Sequence, residues 1–494
     1  MSITPDYPKG TATLERMIFW LAVIASICSA TVFARRSLMA WSVAGIAPGV
    51  AVTSGFEAES LFALYRNAHQ QPVYLDPAKI PYASAYFNWL YYVAYTGPMK
   101  RVISRYGAVT IPRMARVLSA TGSVAGVIFL WVFGRWLLPG RWLITIPVAT
   151  WIFLGPLVGW WAHTARPDVW ALACEVAAIA VLLRYFRARP TAAVLAALVL
   201  FYAAWAFKPT YVLGLGTAVA FLSLRRRFGS VAILAGGSLV LWAATFWLLG
   251  PAYQTAMLGT AVTNKFYLAV GWGNFSNVVE KIAPLLVLTV GLWTRPGHRA
   301  LPETAASAAD TILFGKLGVL LATPIAFGAS CKLGAAANYF FTPLLMLALL
   351  TLGLAARRPI TIWLAIFLSL AAVMQILVLS GQAGRIDLQP QADALAARWS
   401  AWKHQPEPRF SADLRLNLPW LNPHSPPFVL AFNYEFDRAA GRKFEGGGVG
   451  GLISSGFFAA LLLPAGELSS YDGGDLRLYR KARTDAGMSV YLRR

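Results

Sequence analysis

Acidic side chains are scarce in this chain, and unevenly so. Lys and Arg number 43 against 21 Asp and Glu, and residues 1–380 hold 29 of those bases but only ten of the acids. Charge of either sign is thin: 13% of residues are charged and 57% hydrophobic. That balance excludes an ordinary soluble globular protein. Cysteine is almost missing. Cys28, Cys174 and Cys331 lie in apolar segments or at their edges with no CxxC or metal spacing, which supports neither a disulfide framework nor a thiolate zinc site. No cleavable signal is evident, and the apolar run from Met17 reads as an uncleaved first helix. A nucleotide loop is missing too. Gly446–Gly448 and Gly450-Gly451 have no following Lys-Ser or Lys-Thr and read as a flexible turn.

What the chain does have is apolar windows that recur along its first 380 residues, each near the ~20 residues that span a bilayer. Mean hydropathy is +0.56 and there are 19 Trp. The basic excess sits in short clusters between these windows, the pattern of positive-inside bias rather than of a nucleic-acid surface. No nucleic-acid partner is expected. Arg135 to Arg141, Arg184 to Arg189, Arg225-Arg226-Arg227, Arg295 to Arg299 and Arg357-Arg358 are all placed in the cytoplasm by that bias. The windows near 142–161, 168–183, 190–207, 209–224, 230–250, 282–293, 311–329, 338–356 and 359–380 give the even crossings this needs. The opposite face then holds loops 55–112, 162–168, 250–281 and 330–338, the region around Lys208, and everything after 380. Residues 17–34 and 37–54, split by Arg35-Arg36, allow either eleven spans or twelve; Lys9 and Arg16 favour eleven.

The expected fold class is therefore mainly α: a polytopic helical membrane bundle over 1–380 with a large first outer loop, 55–112, and a small mixed α/β domain over 381–494. The tail has 14 bases against 11 acids and frequent turn residues. Phe428–Phe432 and Leu476–Arg480 read as short strands, and Asp485-Ala-Gly487 as a turn into Met488–Leu492.

A carboxylate at or within a bilayer is costly and marks a functional site. Glu57, Glu59, Asp76, Asp168 and Glu280 fall in or beside breaks on the outer side. Glu57 and Glu59, in Gly55-Phe-Glu-Ala-Glu-Ser60, begin a loop that continues through Tyr86–Tyr92, whose rings suit a sugar face or an interfacial belt. A carboxylate there can take a proton from an acceptor hydroxyl; a solvated loop acid is the plainer reading. His163, Arg166 and Asp168 close the next outer turn, joining a cation for phosphate to a carboxylate, although Asp168 could also simply cap its helix. Lys208, Lys265 and Lys332, the last beside Asn338 and Tyr339, face outward against the charge bias, for a lipid phosphate or for snorkelling. Glu175, two turns beyond Asp168, is expected to pair with one of these cations.

Taken in order, Gly55-Phe-Glu-Ala-Glu59, Tyr74-Leu-Asp76, Tyr86–Tyr92, Arg166-Pro-Asp168, Phe207-Lys-Pro-Thr210 and Lys332-Leu-Gly-Ala-Ala-Ala-Asn-Tyr339 resemble the GT-C superfamily of polytopic glycosyltransferases. The likeness is to the bacterial branch similar to protein mannosyltransferases and aminoarabinose transferases. It implies a polyprenyl-phosphate sugar donor, a glycan, lipid or protein acceptor, membrane lipids as neighbours, and inverting transfer, typically of a hexose. The setting implied is the extracytoplasmic face of a bacterial inner membrane. Carried over, Glu57 is the first-loop catalytic carboxylate, Glu59 supports it, and Asp168 lines the same cavity. Arg166, Lys208 and Lys332 hold the donor phosphate, with His163, Asn338 and Tyr339 as further substrate contacts. Gly55 stands where members often have Asp, and Asn88-Trp89 where they have Pro-Pro or Pro-Leu. The likeness fixes no cofactor, and a divalent metal is left open. A flippase or transporter of lipid-linked sugars would more naturally show an internal repeat and deeply buried charge; a non-catalytic component of polysaccharide assembly would use its acids structurally.

Overall fold

The computed structural model describes residues 10–47, 50, 57–139, 141–259, 265–294, 302–358, 361–381, 387–430, 432–466, 470–485 and 487–494. Gly55, Phe56, Asn264 and the Arg295–Arg299 cluster lie outside them. The chain opens with α1 (Gly10–Ile46), α2 (Glu57–Ala68), α3 (Trp89–Tyr106), α4 (Ile111–Leu137), α5 (Trp142–Leu154) and α6 (Val158–Trp161). It continues through α7 (Asp168–Tyr185), α8 (Pro190–Phe207), α9 (Leu213–Leu224), α10 (Phe228–Val231), α11 (Gly237–Gln254) and α12 (Leu268–Trp293). The bundle closes with α13 (Pro302–Ser330), α14 (Phe341–Arg357) and α15 (Thr361–Leu379).

Eight stretches among the described residues are long and apolar enough to cross a membrane: α1, α4, α8, α10 with α11, α12, α13, α14 and α15. The shorter apolar α5 and α9 and the charged α7 pack in the same bundle. This is an integral membrane protein. Window 37–54 is not a separate segment, because α1 runs unbroken through Arg35-Arg36 to Ile46. Arg36 is tolerated there because it is buried, its guanidinium carbon 3.3 Å from the centre of the Trp160 ring. Window 142–161 is broken at Gly155-Pro156, where a Cβ on Gly155 would meet the Trp151 carbonyl oxygen at 2.0 Å. Much of the expected outer loop 250–281 is helical. Glu280 lies three turns into α12, exposed, rather than at a break.

Close helix contact rests on small residues, as membrane packing requires. A Cβ on Gly315 would lie 2.7 Å from the Leu350 nitrogen, so α13 and α14 approach nearly backbone to backbone. α14 is apolar all round and buried on nearly every face, as expected of a central helix.

The two ends of the bundle differ chemically. At one, Arg141 donates to the Ala355 carbonyl at 2.7 Å, Arg184 lies over Trp136, and Arg358 donates to the Leu292 and Trp293 carbonyls. Arg187 and Arg225 share Asp310, so the four described basic clusters are together. At the other end α2, α3 and the turn 162–168 meet the starts of α7 and α14.

A smaller unit covers that second end. It contains α16 (Gln389–Trp402), α17 (Phe432–Ala439), α18 (Gly448–Ser454), β1 (Arg409–Ser411), β2 (Ala460–Pro464), the pair β3 (Ser470–Tyr471) and β4 (Gly474–Asp475), β5 (Tyr479–Asp485) and β6 (Met488–Arg493). The main sheet runs β1-β2-β6-β5, with β1 and β2 parallel and the other pairs antiparallel. The turn before Met488 forms the β5–β6 hairpin. Phe428–Leu430 is buried but not a strand, since α17 starts at Phe432. The glycine cluster is not loose: Gly446, Gly447 and Gly448 take positive φ and lead into α18. Glu445 accepts from the Ile80 nitrogen at 3.0 Å, and its own nitrogen donates to the Ala78 carbonyl at 2.8 Å, which fastens this unit onto the α2–α3 connection.

Candidate active site

The site is built on two helix beginnings. α2 starts at Glu57, so both Glu57 and Glu59 fall in its first turn, where the helix dipole favours negative charge. α7 starts at Asp168 after Pro167, and the turn before it is fixed from α3 and α4. Tyr91 donates to the Ala165 carbonyl at 2.7 Å, while Tyr95 and Ser119 donate to the Arg166 carbonyl at 3.1 and 3.0 Å. The Tyr86–Tyr92 segment therefore corrects the expectation of an exposed sugar platform or belt. Tyr91, Tyr92 and Tyr95 are buried, and their rings and hydroxyls form the support beneath the turn.

Glu57 is buried and its Oε2 accepts from Arg116 Nη2 at 2.8 Å. Arg116 also donates to the Ala40 and Val50 carbonyls, tying α4 to the end of α1. Glu57 Oε1 is buried and has no hydrogen-bond partner among the described residues. Glu59 is buried beside it, with Oε2 also unpartnered. Burial pushes its carboxyl up to about 7, against the opposing pull of its own backbone amide and the Arg166 charge.

Asp168 is fully buried. Its Oδ1 accepts from Lys208 Nζ and from Asn338 Nδ2, the latter at 2.7 Å; Oδ2 has no partner among the described residues. Lys208 follows the last turn of α8 and lies 5.9 Å over both the Phe87 and the Tyr339 rings. Arg166 is buried, 5.0 Å over Trp161, and its charge acts on both Glu59 and Asp168. Asp168, Lys208, Asn338 and Tyr339 are thus brought together, with Arg166 between them and the α2 carboxylates.

Three expected residues sit differently. His163 is buried against Phe33, 4.6 Å between ring centres, and shares a 3.3 Å hydrogen bond with Ser37. Burial, then Arg36 and Arg116, hold its pKa well below the usual range, so it is a neutral imidazole and not a cation for phosphate. Lys332 is half-buried in a short backbone pairing with Phe266; among the described residues no ion pair reaches it. Asp76 is exposed and accepts from the Ala78 nitrogen at 2.9 Å, an ordinary turn. Glu175 also departs from expectation. Among the described residues it takes no cation, accepting instead from the Gly214 nitrogen at 2.9 Å and Thr342 Oγ1 at 2.7 Å.

Arg116 is not singled out in the sequence, and Arg36 is taken there only as part of a break between two windows. The signal was present: each is a permanent charge inside a long apolar helix, and such a charge needs a buried partner. Asn88 was noted only as a departure from Pro. It is fully buried, donates to the Trp205 carbonyl, and accepts from the Tyr253 hydroxyl at 2.6 Å, so it locks the start of α3 to α8 and α11.

The donor set around Glu57 does not suit a divalent cation. Hard ions want several oxygen ligands, whereas Glu57 commits one of its two oxygens to Arg116, and among the described residues no three His, Cys, Asp or Glu side chains gather.

No family model matches this sequence, and no curated protein matches it. Its fold does have likenesses. The crystal structure of ArnT from Cupriavidus metallidurans in the apo state superposes with a TM-score of 0.55 at 14% identity, over 94% of this chain and 97% of that one. The Archaeoglobus fulgidus oligosaccharyltransferase in the apo form gives a TM-score of 0.46 at 13% identity, over 90% of this chain and 69% of that one. Eight long apolar stretches among the described residues, a buried charged end and a small mixed sheet above it make up an architecture that is the polytopic fold of the Cupriavidus metallidurans ArnT structure.

Proposed function

We propose that this protein transfers a sugar from a polyprenyl-phosphate donor to an acceptor hydroxyl or amine at the extracytoplasmic face of a bacterial plasma membrane. The observation that carries this reading is a set of buried carboxylates, each with one oxygen that has no partner among the described residues, held among cations at one end of the bundle: Glu57 Oε1, Glu59 Oε2 and Asp168 Oδ2. Buried polar atoms are almost always satisfied. Three orphaned acceptors in one place are acceptor capacity kept for a ligand rich in hydroxyls, and a sugar is such a ligand.

In this reaction the acceptor O–H or N–H loses its proton to Glu57 as its heteroatom bonds to the sugar's anomeric carbon. The bond from that carbon to the phosphate oxygen breaks, and the polyprenyl phosphate leaves with the electron pair. Arg166 and Lys208, with Lys332 at the edge, meet the growing phosphate charge. Asp168 and Asn338 orient the sugar, and Arg116 fixes Glu57. Attack opposite the leaving phosphate inverts the anomeric centre.

Purified protein in nanodiscs, supplied with radiolabelled polyprenyl-phosphate hexose or pentose and with glycan, lipid or peptide acceptors, tests this reading. Label is expected to pass to an acceptor with release of polyprenyl phosphate, and Glu57→Gln is expected to stop it. Movement of intact donor across the bilayer without release of polyprenyl phosphate would favour a flippase instead.

A further inference from the structure

Between Asp76 and Asp168 the chain contains no acidic residue. Within that stretch α3 divides into two faces. Tyr91, Tyr92, Tyr95, Thr96 and Met99 are buried against the bundle, while Lys100, Arg101 and Arg105 are all exposed. Among the described residues no ion pair reaches any of these three. Exposed apolar side chains flank them: Val93, Tyr106 and Val109.

Connectivity sets their depth. The membrane-crossing stretch that contains α4 begins at Ala108, three residues after Arg105 and eight after Lys100. Gly107, at φ 80, turns the chain between α3 and α4, so the two helices are separate. At 1.5 Å per residue, all three cations lie within about 12 Å of the start of the span, which is headgroup depth. A helix with bases on one face and aromatic and aliphatic side chains beside them, at that depth, has the character of an interfacial helix. Headgroup phosphates are the complementary charge close at hand.

We propose that α3 is an in-plane anchor whose Lys100, Arg101 and Arg105 bind the headgroups of anionic phospholipids. The lipid thereby holds in place the helix that carries Tyr91 and Tyr95, and with them the Ala165–Asp168 turn. This binding does not depend on the reaction proposed above.

The full-length protein, reconstituted in bilayers containing a trace of photoreactive phosphatidylglycerol, tests it by mapping the crosslinked peptides. Crosslinks are expected within residues 97–109, at least about fivefold above those from a phosphatidylcholine probe with the same acyl chains. Lys100→Gln/Arg101→Gln/Arg105→Gln is expected to bring them to the phosphatidylcholine level, while crosslinks near Arg225–Arg227 at the other end persist and report an intact fold. Equal labelling of 97–109 by the two probes in the unmodified protein overturns the proposal whether or not the triple variant folds. So does labelling that survives the three substitutions.

Discussion

Buried acids occur at both ends of this bundle, and they are satisfied differently. At the basic end Asp310 of α13 is 1% exposed and uses both oxygens: Oδ1 accepts from Arg225, and Oδ2 accepts from Arg187 Nη2 at 2.6 Å. It clamps the α7–α8 and α9–α10 connections onto α13, and no acceptor is left over. At the other end Glu57 and Asp168 each commit one oxygen to a cation and keep the other unpaired. A satisfied buried ion pair links elements; a half-satisfied one bears a standing desolvation cost. The contrast marks Asp310 as a fastening and the Glu57–Asp168 end as a place where a ligand completes the hydrogen bonding.

The comparison is tested most sharply by neutralising one acid at each end. Glu57→Gln keeps size and shape but removes basicity, and general-base contributions run about 10²–10⁴-fold. Turnover per folded molecule is expected to fall by that range, and Arg116, fully buried, loses its counter-ion at the same time, so folded protein must be quantified alongside. Turnover within threefold of the parent at equal protein level would remove Glu57 from the role. Asp310→Ala should do the reverse. Two arginines lose their shared acceptor, but both are partly exposed and can rehydrate, so the loss is about 2–4 kcal/mol of stability, at or below the usual figure for breaking a buried pair. A thermal-shift series should register it, while turnover per folded molecule stays within threefold.

Glu59 offers a subtler version, read through pH. Its carboxyl is raised to about 7 by burial, so the folded protein holds this proton over a range where the unfolded chain has released it. Stability therefore falls as pH rises from about 4.5 to about 7, then levels off, a total of up to about 3 kcal/mol. Glu59→Gln lacks the titration. Its melting temperature relative to the parent should climb across that window and be flat above it; a gap that does not vary with pH would place Glu59 in a better-solvated setting.

The bundle was legible because apolar windows and basic clusters are local features of composition, and parity of crossings follows from them. The acidic pattern at Glu57, Glu59 and Asp168 was legible for the same reason: charge stands out against an apolar background. What sequence could not supply was pairing. Glu175 was expected to find a cation, yet the nearest donors are the Gly214 nitrogen and Thr342, brought there by α9 and α14. Arg116, which holds Glu57, is 59 residues away, and only the crossing of α4 over the start of α2 makes them neighbours. Tyr86–Tyr92 has the composition of a surface because Trp and Tyr favour interfaces; its burial depends on α3 lying against α8, a tertiary fact without a local signature. Glu280 looks like a loop acid in the sequence because α12 begins at Leu268, ahead of the most apolar part of the helix.

The smallest expected effect concerns Lys332, which differs from Lys208 although both were read as phosphate ligands. Lys208 is pinned: its Nζ meets Asp168, and two aromatic rings flank it. Lys332 is half-buried, anchored through its backbone, and among the described residues its ammonium has no ion-pair partner. A cation held in place opposes phosphate charge without reorganising, while one on a free four-carbon stem must be ordered first, at about 1 kcal/mol or more in side-chain entropy. Lys332→Gln should therefore raise the donor KM by only a few-fold and leave kcat and the acceptor KM nearly unchanged. Lys208→Gln should lower kcat as well, because it also strips Asp168 of its counter-ion. Equal kinetic losses in the two variants would show that the pinned and the free lysine do the same work; no change at all in Lys332→Gln would reduce it to a side chain snorkelling toward headgroups.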